Sequence, residues 1–295
     1  MNQKDWLELS LIANGDEEAL LFETALELAG AIATTATSAS EEEIFEPEIG
    51  TTPLWKKSKI TGLFALDADK TQVLESLKTA LGEEYAHAIV ENLLADCDWI
   101  RAWLDYFQPI SFAAGRLWVA AQEHDLSGRA DKNAAILRLD PGLAFGTGTH
   151  PSTALCLEYL AGNNLSGKTV FDYGSGSGIL GIACALLGAE KIYQTDIDPQ
   201  AIQASRENAE KNNVAEKITV TDKPETVGAV DLLVANILLE PLCALKTEFE
   251  KHSREFIFAG ILERQEEVIR RNYPNYQIEK VAEKDGWICL RLLKS

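Results

Sequence analysis

The stretch Val170-Phe171-Asp172-Tyr173-Gly174-Ser175-Gly176-Ser177-Gly178-Ile179-Leu180-Gly181 constrains this chain more than any other. A β-branched and aromatic run ends at an acid, three glycines follow at alternate positions, and an apolar helical pattern starts behind them. That order reads as a strand, a tight loop and the start of a helix. Alternating glycines let the loop reach backbone angles closed to other residues and let a ligand lie close to the main chain. The loop amides and the helix N-terminus then form a cradle for a carboxylate or a phosphate. The next strand, Lys191-Ile192-Tyr193-Gln194-Thr195-Asp196, ends in an acid 22 residues after Gly174. An acid there accepts hydrogen bonds from two ribose hydroxyls, so the expected ligand is an adenosine derivative.

Two adenosine cofactors suit this arrangement. Gly176-x-Gly178-x-x-Gly181 matches the dinucleotide pattern, with an acid about 20 residues further on. Asp172 weighs against it, because an acid pointing into the site repels a pyrophosphate but suits the cationic amino-acid end of S-adenosyl-L-methionine. The order strand, Asp, Gly-x-Gly-x-Gly, helix, strand, acid resembles that of class I S-adenosylmethionine-dependent methyltransferases, an α/β class with a Rossmann-like, doubly wound sheet. A glycine-rich turn with no ligand is the bland alternative, but three such glycines cost chain entropy that packing alone does not require.

With 295 residues the chain is long enough for two domains. No run of 18 apolar residues occurs, so no transmembrane helix is expected. The first 20 residues carry Lys4, Asp5, Glu8, Asp16, Glu17 and Glu18, unlike a signal peptide. Five scattered cysteines with no C-x-x-C pair argue for reduced thiols in a cytoplasmic setting and against structural zinc, and the four histidines suggest no metal site. The net charge of −19 is unevenly spread: residues 1–130 hold 23 acids and 9 bases, residues 131–295 hold 23 acids and 18 bases. Free nucleic acid would be repelled by the first half, and a basic protein would be steered toward it. Acidity that merely keeps the protein soluble is the plainer reading.

Along the chain, strands are expected at Trp6–Ile12, Ala31–Ser38, Lys59–Leu66 and Tyr85–Leu94, with helices at Asp16–Ala29 and Lys70–Leu81. This βαββαβ series implies a split-βαβ, ferredoxin-like α+β domain, with an acidic Pro- and Gly-containing loop at 41–53. Trp99, Trp103 and Phe107 recur at a spacing of four, which predicts a helix over 98–107 that either packs in a core or links two domains. Leu117–Ala121 and Ala134–Leu139 read as strands leading into a second domain. From 165 onward strands and helices alternate, ending with helices at Leu239–Lys251 and Glu263–Asn272 and strands at Glu255–Ala259 and Trp287–Leu293. Such alternation implies a parallel sheet covered on both faces, with ligands at the carboxyl ends of its strands. Gly174, Asp196 and Asn236 all fall at such ends. The expected domains are 1–95, a linker helix over 96–108, and 109–295.

A second signature, Leu139-Asp140-Pro141-Gly142-Leu143-Ala144-Phe145-Gly146-Thr147-Gly148-Thr149-His150-Pro151-Ser152-Thr153, is dense in Gly, Thr and Pro and leads into a helix that Pro151 and Ser152 suit. It reads as a segment closing over the cofactor, or as a capped turn between domains. Taken together, LDPGLAFGTGTHPST, DYGSGSGIL, TDIDPQAI and VANILLEPL resemble the PrmA family, closely over Leu139–Leu242 and in layout over the first 95 residues. GTGTHPST and ANIL-x-x-PL are far more specific than the glycine loop.

The resemblance implies an N-terminal ferredoxin-like substrate-recognition domain, a helical linker and a C-terminal class I methyltransferase domain. It implies methyl transfer from S-adenosyl-L-methionine to lysine ε-amines and to the N-terminal α-amine of ribosomal protein L11. Carried over position by position, it implies cofactor contacts at Thr153, Gly174, Asp196 and Asn236, with Asn236 beside the methyl group. Ser175 departs from the pattern, where members often carry Cys, and a loop Ser is compatible with the role. No general base stands out, and Asn236 cannot be one, since its amide takes up no proton at neutral pH. Its carbonyl is a candidate to orient the acceptor amine. An amide- or adenine-directed methyltransferase would carry Asn-Pro-Pro-Tyr where Asn236-Ile237-Leu238-Leu239 stands. Methylation of another basic protein or a small amine stays open, as does a non-enzymatic scaffold. A monomer is expected from the self-repulsion of an acidic surface.

Overall fold

The computed structural model describes residues 6–40, 55–65, 67–94, 107–139 and 148–295. The chain divides into two compact units, Met1–Arg101 and Ala102–Ser295. The expected linker helix lies outside the described residues, apart from its last two positions, as do the 41–53 loop and Asp140–Thr147 of the second signature.

In the first unit the elements are β1 (Trp6–Asn14), α1 (Asp16–Leu28), β2 (Ala33–Ser38), β3 (Lys57–Ala65), α2 (Lys70–Leu81), α3 (Glu83–Ala86) and β4 (Val90–Leu94). The sheet order is β2-β3-β1-β4, with every described pairing antiparallel. This is the ferredoxin-like arrangement. Leu7, Leu9, Leu11 and Ala13 alternate inward on β1, as do Ser58, Ile60 and Phe64 on β3. Phe22 and Leu26 of α1 and Val73 and Leu77 of α2 complete that core. Asp69 caps α2 by accepting from the Thr71 and Gln72 amides, and Gly82 with φ 92° ends it. The expected strand from Tyr85 starts only at Val90. Tyr85 belongs instead to α3, where its hydroxyl donates to Glu18 at 3.0 Å and its ring meets Phe22 edge-on.

The second unit opens with β5 (Ile110–Phe112), β6 (Leu117–Ala120) and β7 (Ala135–Arg138), which form a small sheet. After α4 (Pro151–Gly162) come β8 (Thr169–Tyr173), α5 (Ile179–Leu186), β9 (Lys191–Thr195), α6 (Pro199–Lys211), β10 (Ile218–Val220) and β11 (Leu232–Asn236). Then follow α7 (Leu239–Ala244), α8 (Lys246–His252), β12 (Glu255–Leu262), α9 (Glu266–Asn272), β13 (Tyr276–Lys284) and β14 (Trp287–Lys294). The order β10-β9-β8-β11-β12-β14-β13 is parallel except where β14 runs against β12 and β13. The chain reverses direction across the sheet between β8 and β11, so the switch point lies at their carboxyl ends. Both faces are covered, which is why β11 and β12 are nearly continuous apolar runs.

In the second unit three further elements differ from the sequence-based expectation. β13 was not foreseen, because Tyr276–Lys284 is an edge strand with mostly polar, exposed positions and no apolar run. β5, with three residues, is too short to carry a period. The helix expected at Leu239–Lys251 is two helices, broken at Leu245, whose ψ of 7° leaves the helical range.

Candidate active site

Tyr173 ends β8, and the glycine loop turns at once. Gly174 and Ser175 donate their amides to the Thr195 carbonyl, both at 2.9 Å, which ties the loop to the end of β9. Gly178 sits at the head of α5 with φ 81°, and a Cβ there would lie 3.0 Å from Ser205 Oγ and 3.1 Å from Ser205 Cα. Only glycine meets both the angle and the space. α6 holds the loop from the other side. Ser205 Oγ donates to the Gly176 carbonyl at 3.1 Å and lies 3.0 Å from Ser175 Oγ, and Asn208 Nδ2 donates to the Ser177 carbonyl at 2.9 Å.

Asp196 follows β9. One carboxylate oxygen accepts from the Gly176 amide at 2.8 Å and the other from the Asp198 amide at 3.0 Å. A carboxylate has about four lone-pair sites, so each oxygen retains acceptor capacity for a ribose hydroxyl. Next to it, Ile197 is fully exposed, an apolar side chain left at the rim of the site. The sequence-based reading missed Ile197, although an apolar residue between two acids in a loop was the available signal.

Asp172 does not reach into an open site, as expected for a partner of the cofactor's ammonium group. It is 1 % exposed and lies under the loop. Its carboxylate accepts from the Gly181 amide at 2.9 Å and from Gln194 Nε2 at 2.9 Å. Gln194 Nε2 also donates to the Gly178 carbonyl, so one buried amide joins the strand-end acid to the loop. Burial pushes the Asp172 carboxyl up to about 6, against the smaller opposing effect of those two donors. Gly181 leaves room for Gln194, whose Nε2 would lie 2.5 Å from a Cβ there.

Asn236 is the last residue of β11, and Thr153 is in the first turn of α4. Asn236 Nδ2 donates to Thr153 Oγ1 at 3.1 Å, a link between residues 83 apart in the chain. It fixes the amide with its oxygen as the acceptor end. The turn that carries Thr153 is set by His150, whose Nδ1 accepts from the Ser152 amide, and by Pro151 in the first turn. Trp287 packs edge-on against His150 at 4.9 Å between ring centroids. Thus Gly174 and Asp196 meet in one hydrogen-bonded cradle, and Thr153 and Asn236 meet beside it.

Other candidate groups fall away from this site. The neighbouring Cys289 thiol and burial push Cys156 up, and burial pushes Cys184 up, so neither is a thiolate nucleophile at neutral pH. Among the described residues no three His, Cys, Asp or Glu side chains gather as metal ligands, and no helix is long and apolar enough to cross a membrane.

Comparison with known proteins places this geometry. The family described as ribosomal protein L11 methyltransferase (PrmA) matches residues 5–295. A protein of Dichelobacter nodosus named ribosomal protein L11 methyltransferase is 59 % identical, over 99 % of each chain. One of that name from Pseudomonas putida is 43 % identical over 96 % of this chain and 97 % of its own. Among solved structures, the ribosomal protein L11 methylase of Lactobacillus delbrueckii subsp. bulgaricus matches with a TM-score of 0.58 and 31 % identity, over 64 % of this chain and all of that one.

Proposed function

We infer the reaction from one premise: this chain belongs to the ribosomal protein L11 methyltransferase (PrmA) family. It is accordingly an S-adenosyl-L-methionine-dependent protein methyltransferase, with ribosomal protein L11 as its substrate. The finer reading is that lysine ε-amines and the N-terminal α-amine accept the methyl groups. What supports it is the pair of hydrogen bonds Gly176–Asp196 and Thr153–Asn236, of which the first would build a ribose cradle and the second an acceptor side.

The residues fit the cofactor. Asp196 would hold the ribose, Gly174 and the loop amides the amino-acid end, and Ile197 would cover the adenine. Thr153 and Asn236 would stand beside the reacting carbon. Bound there, S-adenosyl-L-methionine supplies a methyl group on a sulfonium, open to in-line displacement by a nitrogen lone pair. The chain must align that nitrogen and exclude water. A free lysine has a pKa of about 10.4, so presenting it neutral at pH 7 costs about 4–5 kcal/mol. Partial desolvation by the site lowers that cost. The Asn236 carbonyl, held by Thr153, accepts an N–H of the incoming amine and points its lone pair. Asn236→Ala should cut turnover even at saturating cofactor, and full turnover in that variant would remove Asn236 from the mechanism.

The first unit supplies recognition in this reading, as a domain of residues 1–95 joined by a linker helix over 96–108. It holds 20 acids and 7 bases through residue 101. A ribosomal protein that lives beside RNA phosphates carries the complementary charge. The same acidity goes with a monomeric, cytoplasmic enzyme that does not bind free nucleic acid. Mass spectrometry of ribosomal protein L11 incubated with the enzyme and S-adenosyl-L-methionine tests the whole reading. Mass gains of whole methyl groups on lysines or the N-terminus are expected. No gain, with cofactor binding intact, would move the substrate to another basic protein or a small amine.

A further inference from the structure

Ile237, directly after Asn236, lies between two glycines that approach it from different parts of the chain. On one side is Gly174, where a Cβ would lie 2.4 Å from Ile237 Cγ2. On the other is Gly260, in the register shift of β12, where a Cβ would lie 2.5 Å from the Ile237 carbonyl oxygen and 2.9 Å from its carbonyl carbon. Both glycines are left-handed, with φ of 77° and 76°. The close contacts are therefore with the Ile237 side chain on the loop side and with its main chain on the β12 side.

The position matters because the two halves of the site come from different strands. Gly174 extends β8 and Asn236 ends β11, and the ladder between them runs only from Leu232–Val170 to Val234–Asp172. Past that pair the strands part, as they must to open a crevice. Backbone pairing therefore does not set the distance from the glycine loop to the Asn236 amide, whereas Ile237 spans it by packing.

We propose that Ile237 is a positioning residue for methyl transfer, wedged between Gly174 and Gly260 so as to set the spacing between the cofactor loop and Asn236. This rests on the reading of the site as that of an S-adenosylmethionine-dependent methyltransferase. In-line transfer is sensitive to such spacing, since a misplacement of about 1 Å can cost about a hundredfold in rate.

The test uses the full chain. S-adenosylhomocysteine affinity is measured by calorimetry, and the methylation rate on ribosomal protein L11 is measured at saturating cofactor. Ile237→Ala should lower the rate about tenfold or more and shift affinity less than about threefold. Ile237→Val keeps the branched carbon against Gly174 and should restore most of the rate. Gly174→Ala should weaken affinity by about tenfold or more, and adding Ile237→Ala should recover part of that loss, because the methyl that it strikes is gone. A wild-type rate in Ile237→Ala, or losses that simply multiply in the double variant, would overturn the proposal. A wild-type enzyme that leaves ribosomal protein L11 unmodified would defeat the substrate reading alone, since the affinity cycle still decides the wedge.

Discussion

The left-handed glycines of the first unit and those around the candidate site in the second serve different ends. In the first, Gly15, Gly30 and Gly82 have φ of 87°, 95° and 92°, and a Cβ at any of them would meet nothing within 4 Å. They turn the chain and no more. In the second, Gly174, Gly178 and Gly260 have similar angles, but a Cβ at each would strike Ile237 or Ser205. They turn the chain and also admit another part of it. Replacing the first kind costs backbone strain of about 1–3 kcal/mol. Replacing the second kind also displaces a neighbour, and here the neighbours are the walls of the site. The sheets differ in the same sense. β1 turns Leu7, Leu9, Leu11 and Ala13 into the core shared with α1 and α2, whereas β11 buries four in a row between two layers. The first unit is built as a surface, the second as an enclosure.

The comparison can be broken in four ways, from the largest effect down. Leu9→Ala removes a fully buried side chain from the first unit and should destabilise it by about 2–5 kcal/mol. Hydrogen exchange should accelerate across β1 and β3, while S-adenosylhomocysteine affinity holds. A parallel loss of affinity would show that the units do not act separately.

Asp196→Ala strips the cradle of its carboxylate. The loss of hydrogen bonds to a charged group should weaken cofactor affinity about a hundredfold, with the KM for ribosomal protein L11 little changed. An unchanged affinity by calorimetry would remove Asp196 from the ribose site.

Asp172→Asn tests the enclosure through pH. The folded state raises this carboxyl from its ordinary 3.8 to about 6, so the folded chain holds the proton more tightly than the unfolded one. Its cost to stability is absent below the ordinary value, grows as pH rises between the two, and is complete above about pH 6. That cost is of the order of 1–3 kcal/mol, and asparagine does not carry it. The melting temperature of the variant relative to wild type should rise from pH 4 to pH 7. A gap independent of pH would mean that Asp172 does not titrate as described.

The smallest effect belongs to the surface. Glu27→Lys, Glu75→Lys and Glu84→Lys together reverse three exposed charges on the first unit. The KM for ribosomal protein L11 should rise several-fold at low salt, with kcat and cofactor affinity unchanged, and the difference should fade as salt screens it. A salt-independent KM would argue against electrostatic steering.

Much of the second unit was legible from local pattern. The glycine loop, the acid ending β9, the Pro-started helices α4 and α6, and the switch point at β8 and β11 all follow from short windows. In the first unit the βαββαβ series was legible because a one-sided sheet alternates. What local pattern lacked was a signal where polarity and length hid the element, as at β13 and β5, or where a contact outweighed the pattern, as at Tyr85 bonded to Glu18.

By itself, the amino-acid order determined the classes of both units and the cofactor chemistry, and through the family resemblance it singled out Thr153, Gly174, Asp196 and Asn236 as candidates, because the motifs that carry them are stretches of about ten to twenty residues. The tertiary structure alone decided that Asp172 lies beneath the loop with Gln194 and that Thr153 fixes the Asn236 amide. It also decided that Ile237 separates Gly174 from Gly260. Those facts join residues from 22 to 86 positions apart. Hydrophobic periodicity reports only which face of an element is buried. Which side chains then meet is settled by packing density, since a close-packed interior leaves each close approach one set of partners.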